Sequence, residues 1–236
     1  MEQRAAHRWH IVQKSAHFCR LHMFVFAALG CLFFSHSALC GPQQYEPMSA
    51  SVRAALHAAV SDSAAPQLMI DDEEERLNWL STMSEKLTRH IPDPDYRQEL
   101  LTTIHYEATR AGLDPQMVLG LIQVESAFRK YAVSSAGARG YMQVMPFWIK
   151  VIGRSEDNLF HMRTNLRYGC TILRHYLDIE KGDIFRALGR YNGSLGKAEY
   201  PNLVRRAWEN NWTYDQPESD KPVQKLAASA GGLSRR

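Results

Sequence analysis

One carboxylate lies in an otherwise apolar and uncharged stretch of the chain. Glu125 follows Val118, Leu121 and Ile122 by seven, four and three residues, which are the spacings of one helix face. We therefore expect its side chain to point where the apolar side chains point. Burial disfavours the ionised form, so we expect a raised pKa for this carboxyl. An acid that stays protonated near neutral pH can donate a proton in catalysis.

The loop after this helix has the composition of a ligand-binding turn. Ser134, Gly137 and Gly140 can turn sharply and let the backbone approach a ligand. Gln143 follows, and a neutral amide beside a buried acid suits hydrogen bonding to hydroxyl and acetamido groups. Plain structural roles are open for each feature alone, because Glu125 could pair with Arg129 and the loop could simply join two helices.

Apolar periodicity predicts helices and gives no run of alternating strand pattern or internal repeat. Asp114 is a suitable N-cap and Pro115 a suitable first residue for the helix that carries Glu125 and runs to about Phe128. Further helices are predicted at 77–91, 96–112, after Pro146, and at 163–180, 184–188 and 202–211. The sequence therefore predicts a compact all-α domain over residues 76–214.

The two ends of the chain have a different character from this domain. Residues 1–40 run from a basic lead through the apolar stretch "MFVFAALGCLFF" to small residues, the order found in a signal peptide or an N-terminal membrane anchor. We predict an exported protein of the periplasm or cell envelope, with both interpretations of this segment open. Residues 41–75 are predicted to be a linker and residues 215–236 a disordered tail.

Composition excludes some classes of function. The net charge of +3 and the lack of a basic block interleaved with aromatic residues argue against nucleic acid. The ten histidines show no metal-ligand spacing, so we predict no metal and no cofactor. Cys170 is the one cysteine outside the leading 40 residues. We expect it to be a small core residue.

Four segments of the chain together resemble a known family. They are "ESAF" at 125–128, "AVSSAGARGYMQVMP" at 132–146, "NLRYGCTIL" at 165–173 and "RYNGS" at 190–194. Over about residues 96–214 the chain resembles the soluble lytic transglycosylase (SLT) domain, which is related in fold to goose-type lysozyme. The chain departs from the family pattern at Arg190, where Ala is usual, at Gly193-Ser194, where Ala-Gly is usual, and at Ile172, where Tyr is usual.

The resemblance implies an activity on peptidoglycan glycan strands. The expected reaction cleaves the β-1,4 bond between N-acetylmuramic acid and N-acetylglucosamine and leaves 1,6-anhydro ends. Glu125 would be acid and then base, and no second carboxylate is needed because the substrate's acetamido and C6 hydroxyl groups act as nucleophiles. By the same resemblance, Tyr191 and Ser134 would hold the acetamido group with Asn192 supporting them, and Gln143 and Met145 would line the groove.

Two other functions stay open at this stage. A lysozyme-type hydrolase would use water as the nucleophile on the same fold, and a glycan-binding or assembly module would not cleave at all. An apparatus that spans the cell envelope is a candidate partner. Endo and exo cleavage are both compatible with the sequence.

Overall fold

The structure, a computed structural model, describes residues 43–214. Eight helices occupy this range, and the extended pairing within it is limited to the isolated bridges of Arg139 with Val133 and with Val144. The helices are α1 Ala50–Val60, α2 Glu73–Leu87, α3 Pro94–Arg110, α4 Pro115–Ser126, α5 Phe147–Ile152, α6 Met162–Ile179, α7 Ile184–Tyr191 and α8 Glu199–Asn211. The predicted all-α class is confirmed.

Aspartate side chains begin half of these helices. Asp72, Asp93, Asp114 and Asp183 each accept a hydrogen bond from a backbone N–H in the first turn of α2, α3, α4 and α7. Such a cap satisfies a donor that the helix itself leaves unpaired, and it contributes about 1 kcal/mol. The predicted N-cap at Asp114 is confirmed, and so is Pro115 at the start of α4.

Helix α4 lies in the apolar core. The side chains of Val118, Leu121 and Ile122 are fully buried, as their spacing predicts. Cys170 on α6 is also fully buried, and this burial raises the pKa of its thiol, so the side chain is a neutral core residue. Helices α4 and α6 thus supply the centre of the structure.

The segment predicted to be a linker is partly helical. Helix α1 lies within residues 41–75, and its Leu56 and Val60 belong to the core. The Nδ1 atom of His57 is 2.9 Å from the carbonyl oxygen of Ile152 in α5. The linker prediction was wrong for α1 because its apolar positions, Val52, Leu56 and Val60, are four residues apart among alanines that hide the pattern.

The predictions for residues 1–40 and 215–236 lie outside the described residues. The limits of the predicted domain at 76 and 214 stay predictions. Within residues 43–214, no helix combines the length and apolar character needed to cross a membrane.

A buried ion cluster joins α1 to the rest of the structure. Glu107 on α3 is fully buried and pairs with Arg110 at 2.9 Å, Arg163 at 3.2 Å and Arg167 at 3.3 Å. A further hydrogen bond runs from Arg167 Nη1 to the carbonyl oxygen of Val60 at the end of α1, at 3.1 Å. The cluster therefore holds α1, α3 and α6 together.

Replacing Glu107 should destabilise the fold strongly. Glu107→Gln removes the negative charge and leaves three guanidinium groups beside a neutral amide, and breaking a buried pair in this way costs about 3 kcal/mol. Urea unfolding at neutral pH measures the change. Glu209→Gln is the matched control, because Glu209 pairs with Arg205 on the exposed side of α8 and should change stability by less than about 0.5 kcal/mol. Equal effects of the two substitutions would contradict the assigned role of Glu107.

Candidate active site

Glu125 is buried in the last turn of α4. Its side chain is 7% exposed, so the predicted burial is confirmed, while its catalytic role stays a prediction. The hydroxyl of Tyr200 on α8 donates a hydrogen bond to Oε1 of Glu125, and Tyr200 is itself buried. A donor of this kind fixes the orientation of the carboxyl.

Tyr200 can reach Glu125 because α4 and α8 pack closely. A Cβ atom added at Gly120 would lie 2.8 Å from the backbone nitrogen of Trp208 and 3.0 Å from its Cα. Backbone atoms cannot move aside as a flexible side chain can. Position 120 therefore accepts only glycine at this helix separation.

The backbone turns sharply just after Glu125. Ala127 and Phe128 have φ values of 49° and 60°, a left-handed conformation that is uncommon for residues other than glycine. The ring of Phe128 is buried, with its centroid 5.2 Å from that of Trp212. This burial holds the turn in place. Helix α4 therefore ends at Ser126, whereas the sequence predicted an end near Phe128.

The loop of residues 129–146 is braced by its own polar side chains. Ser134 Oγ accepts a hydrogen bond from the N–H of Ala138 at 3.1 Å. Gln143 Nε2 donates to the carbonyl oxygens of Ala132 at 3.2 Å and Gly140 at 2.9 Å. A hydroxyl keeps one proton to donate, so Ser134 can still serve a ligand. Gln143 would contact a ligand through its Oε1 atom, because its amide nitrogen serves the loop.

Asn165 on α6 fixes the same loop from outside. Its Oδ1 accepts from the N–H of Met142 at 2.8 Å, and its Nδ2 donates to the carbonyl oxygens of Arg139 at 2.8 Å and Leu159 at 2.9 Å. Gly140, with φ at 75°, lies so close to this amide that an added Cβ would be 2.4 Å from Nδ2. Sequence reasoning did not assign Asn165 to the site, although it lies in one of the family segments.

A tyrosine pair fastens the loop to α3. The hydroxyl oxygens of Tyr141 and Tyr96 are 2.7 Å apart. Burial, and next the hydrogen bond with Tyr96, raise the pKa of Tyr141, so this phenol stays neutral and acts as a fixed support.

The end of α7 supplies the other predicted residues. The hydroxyl of Tyr191 donates to the carbonyl oxygen of Met142 at 2.7 Å, and the ring is 1% exposed. Asn192 Nδ2 donates to Ser194 Oγ at 2.9 Å. The structure thus joins Tyr191 directly to the loop that contains Ser134 and Gln143. Asn192 shares a turn with Ser194, and Met145 is half-buried at the end of the loop.

Tyr200, like Asn165, is a residue of the site that sequence reasoning missed. It lies in the first turn of α8, far from Glu125 along the chain. Its partner becomes visible only when the packing of α8 on α4 is known. Within residues 43–214, no group of three or more His, Cys, Asp or Glu side chains is placed to hold a metal ion.

Comparison with known proteins identifies the part of the chain that carries these residues. Residues 102–211 match the family described as Transglycosylase SLT domain. Over these residues the chain is similar to that family. The matched segment contains Glu125, the braced loop and Tyr191, and it ends with α8 at residue 211.

Several curated relatives are similar to part of this chain. The chain is 35% identical over 98 residues to the transglycosylase of Enterobacteria phage PRD1, covering 42% of this chain and 36% of that protein. It is 47% identical over 115 residues to membrane-bound lytic murein transglycosylase C of Histophilus somni (strain 2336), covering 42% of this chain and 32% of that protein. The chain therefore spans about a third of the length of these relatives.

A solved structure was also matched. An inactive mutant of lytic transglycosylase Slt from Pseudomonas aeruginosa is 22% identical, with a TM-score of 0.37, covering 57% of this chain and 26% of that chain.

The close packing between α4 and α8 can be tested at a glycine. Gly120→Ala would force α4 and α8 apart and should lower the free energy of unfolding by about 2 kcal/mol. Gly189→Ala on α7 is the matched control, because its added Cβ would meet Leu195 Cα at 3.4 Å, an ordinary contact. Alanine is the better helix former, so this control should leave stability unchanged or raise it by about 0.5 kcal/mol. Urea unfolding of both variants measures the difference, and a neutral Gly120→Ala would contradict the close contact.

Proposed function

We propose that this protein is a peptidoglycan lytic transglycosylase in which Glu125 is the single acid and base. The observation that carries the proposal is the buried carboxyl at the end of α4, oriented by the Tyr200 hydroxyl within an SLT domain. The names of the relatives, transglycosylase and lytic murein transglycosylase, support the same activity.

The proposed reaction needs no external nucleophile. Protonated Glu125 gives its proton to the oxygen of the glycosidic bond between N-acetylmuramic acid and N-acetylglucosamine as that bond breaks. The acetamido oxygen of the N-acetylmuramic acid residue stabilises the electron-poor C1 atom. Glu125, now ionised, removes the proton from the C6 hydroxyl, and O6 attacks C1 to close the 1,6-anhydro ring. The carboxyl is then protonated again, ready for another cycle.

Four other carboxylates of the described residues have structural partners, which supports a single-acid mechanism. Asp183 caps α7, and Asp178 pairs with Arg174. Glu180 pairs with Arg186 and Arg190. Asp157 accepts hydrogen bonds from the Tyr168 hydroxyl and the Arg154 N–H. A glycosidase that uses water or a covalent intermediate needs a second carboxylate at the scissile bond, and each of these four is engaged elsewhere.

The proposed substrate contacts follow from the geometry of each residue. Ser134 has a hydroxyl proton for the acetamido carbonyl oxygen. The Tyr191 hydroxyl already donates its hydrogen bond to the carbonyl oxygen of Met142. Tyr191 would therefore contact the acetamido group with its ring and its oxygen lone pairs. Asn192 would support this wall. Gln143 and Met145 would line the saccharide groove beside Glu125.

We place this activity in the periplasm or cell envelope, where peptidoglycan is found. Relatives named membrane-bound lytic murein transglycosylase C support an envelope location. A signal peptide or anchor in residues 1–40 stays a prediction, and so does an envelope-spanning apparatus as partner.

Removing the acid should abolish cleavage. We expect Glu125→Gln to digest purified sacculi at least about a hundredfold more slowly than the unchanged protein, because an amide cannot transfer the proton. The control Glu209→Gln changes an exposed glutamate on α8 and should keep full activity. Mass spectrometry of the products should find 1,6-anhydro-N-acetylmuramic acid ends. Reducing ends would instead establish a hydrolase, and full activity of Glu125→Gln would exclude this residue as the acid.

Removing the oriented donor should slow the chemical step. Tyr200→Phe deletes the hydrogen bond to Glu125 but keeps the ring in the core, so we expect kcat to fall about tenfold with KM little changed. Tyr214→Phe is the matched control, because the buried Tyr214 hydroxyl finds no hydrogen-bond partner among the described residues. Kinetics on soluble glycan strands separate kcat from KM. A rise in KM alone would assign Tyr200 to substrate binding.

A further inference from the structure

A short segment before α1 lies against the site although it is outside the SLT match. We call residues 43–46 the strap. Gln43 is buried, and its Oε1 accepts hydrogen bonds from the N–H of Met145 at 3.3 Å and from the indole Nε1–H of Trp148 at 2.9 Å. The strap is therefore fixed to the chain segment that ends the braced loop and begins α5.

The other end of the strap is fixed to α7. Glu46 Oε1 accepts a hydrogen bond from Arg190 Nη1 at 2.5 Å, and Arg190 also pairs with Glu180. The hydrogen bond from Arg190, and next that from Arg186, lower the pKa of Glu180, which keeps this pair ionised. Arg190 stands where the SLT pattern usually has Ala, and it directly precedes Tyr191. The departure from the family pattern thus has a structural role, which is to hold the strap.

Tyr45 is held between these two anchors with its ring in solvent. The ring is 53% exposed, and it packs edge-on against Phe147, with centroids 6.1 Å apart and planes at 84°. Phe147 is stacked on the buried ring of Trp148 at 5.2 Å. The backbone around Tyr45 is fixed at Gln43 and Glu46, so the exposed ring has a defined position and little conformational entropy to lose on binding.

We infer that Tyr45 and Phe147 form an additional saccharide subsite, on which a sugar ring of the glycan strand stacks beyond the Met145 end of the groove. The inference rests on the proposed function and extends it. Phe147 is two residues from Met145, so the aromatic pair continues the predicted groove. The C–H face of a pyranose ring packs on an aromatic ring, while its hydroxyl and acetamido groups reach the polar side chains of the strap.

A glycan fits this surface better than an apolar partner does. Two rings beside the Glu46–Arg190 pair form a small aromatic platform with polar edges, whereas protein docking sites usually bury a larger continuous apolar patch.

The test measures binding as a function of oligosaccharide length. The full chain carrying Glu125→Gln is titrated with β-1,4-linked N-acetylglucosamine trisaccharide and hexasaccharide by calorimetry. We expect Tyr45→Ala in this background to weaken hexasaccharide binding about tenfold and to leave trisaccharide binding unchanged. Tyr45→Phe should keep the tight binding of the hexasaccharide, because it retains the ring.

Control variants separate stacking from a loss of fold. Tyr45→Leu keeps apolar bulk without a flat ring and should behave as Tyr45→Ala does. Phe185→Ala removes an exposed aromatic ring from the start of α7 and should leave both ligands unaffected. Thermal unfolding of each variant checks that the fold is kept. The subsite is excluded if Tyr45→Ala leaves hexasaccharide binding unchanged, or if it weakens both oligosaccharides equally.

The outcome can be distinguished from failure of the proposed function. If the unchanged protein yields no anhydro ends and Tyr45 still determines hexasaccharide affinity, the platform is a glycan-binding site and the proposed reaction is wrong. If the unchanged protein yields anhydro ends and Tyr45→Ala alters neither binding nor KM on long strands, the reaction stands and the subsite is wrong.

Discussion

The contact between α4 and α8 at Gly120 is the constraint on which the site depends. Because a Cβ atom at this position would meet the backbone of Trp208 at 2.8 Å, only glycine lets the two helices approach so closely. This approach brings Tyr200 within hydrogen-bond reach of Glu125 and covers the carboxyl. The lack of a side chain at Gly120 therefore determines the surroundings of the Glu125 carboxyl, five residues further along α4.

Two buried glutamates of this protein have different hydrogen-bond and ion-pair neighbours. Glu107 is surrounded by three arginines, so its charge is compensated and it serves to join helices. Glu125 receives a hydrogen bond from a neutral phenol. Glu107 therefore has a structural role, whereas the role proposed for Glu125 is chemical.

Local rules predicted most of the helices but not the contacts between them. Aspartate caps and the spacing of apolar residues located α4 and the buried face of Glu125, because these signals lie within one turn of the residues concerned. Helix α1 was missed because alanines dilute its apolar stripe. Tyr200 and Asn165 could not be assigned partners, since nothing in a linear pattern states which helix approaches which. The left-handed residues Ala127 and Phe128 carry no sequence signal either, as glycine is the usual marker of that conformation.

The strap and α1 extend the folded unit of this protein beyond the region of family similarity. Family similarity begins at residue 102, yet Gln43 accepts the indole N–H of Trp148, and the carbonyl oxygen of Val60 accepts Arg167. Trimming the chain to the region of similarity would remove the hydrogen-bond acceptors of the Trp148 indole and the Arg167 guanidinium, which are largely shielded from water. It would also expose the apolar surface that Leu56 and Val60 cover. A fragment that keeps these contacts should therefore include residue 43, well before the region of family similarity begins.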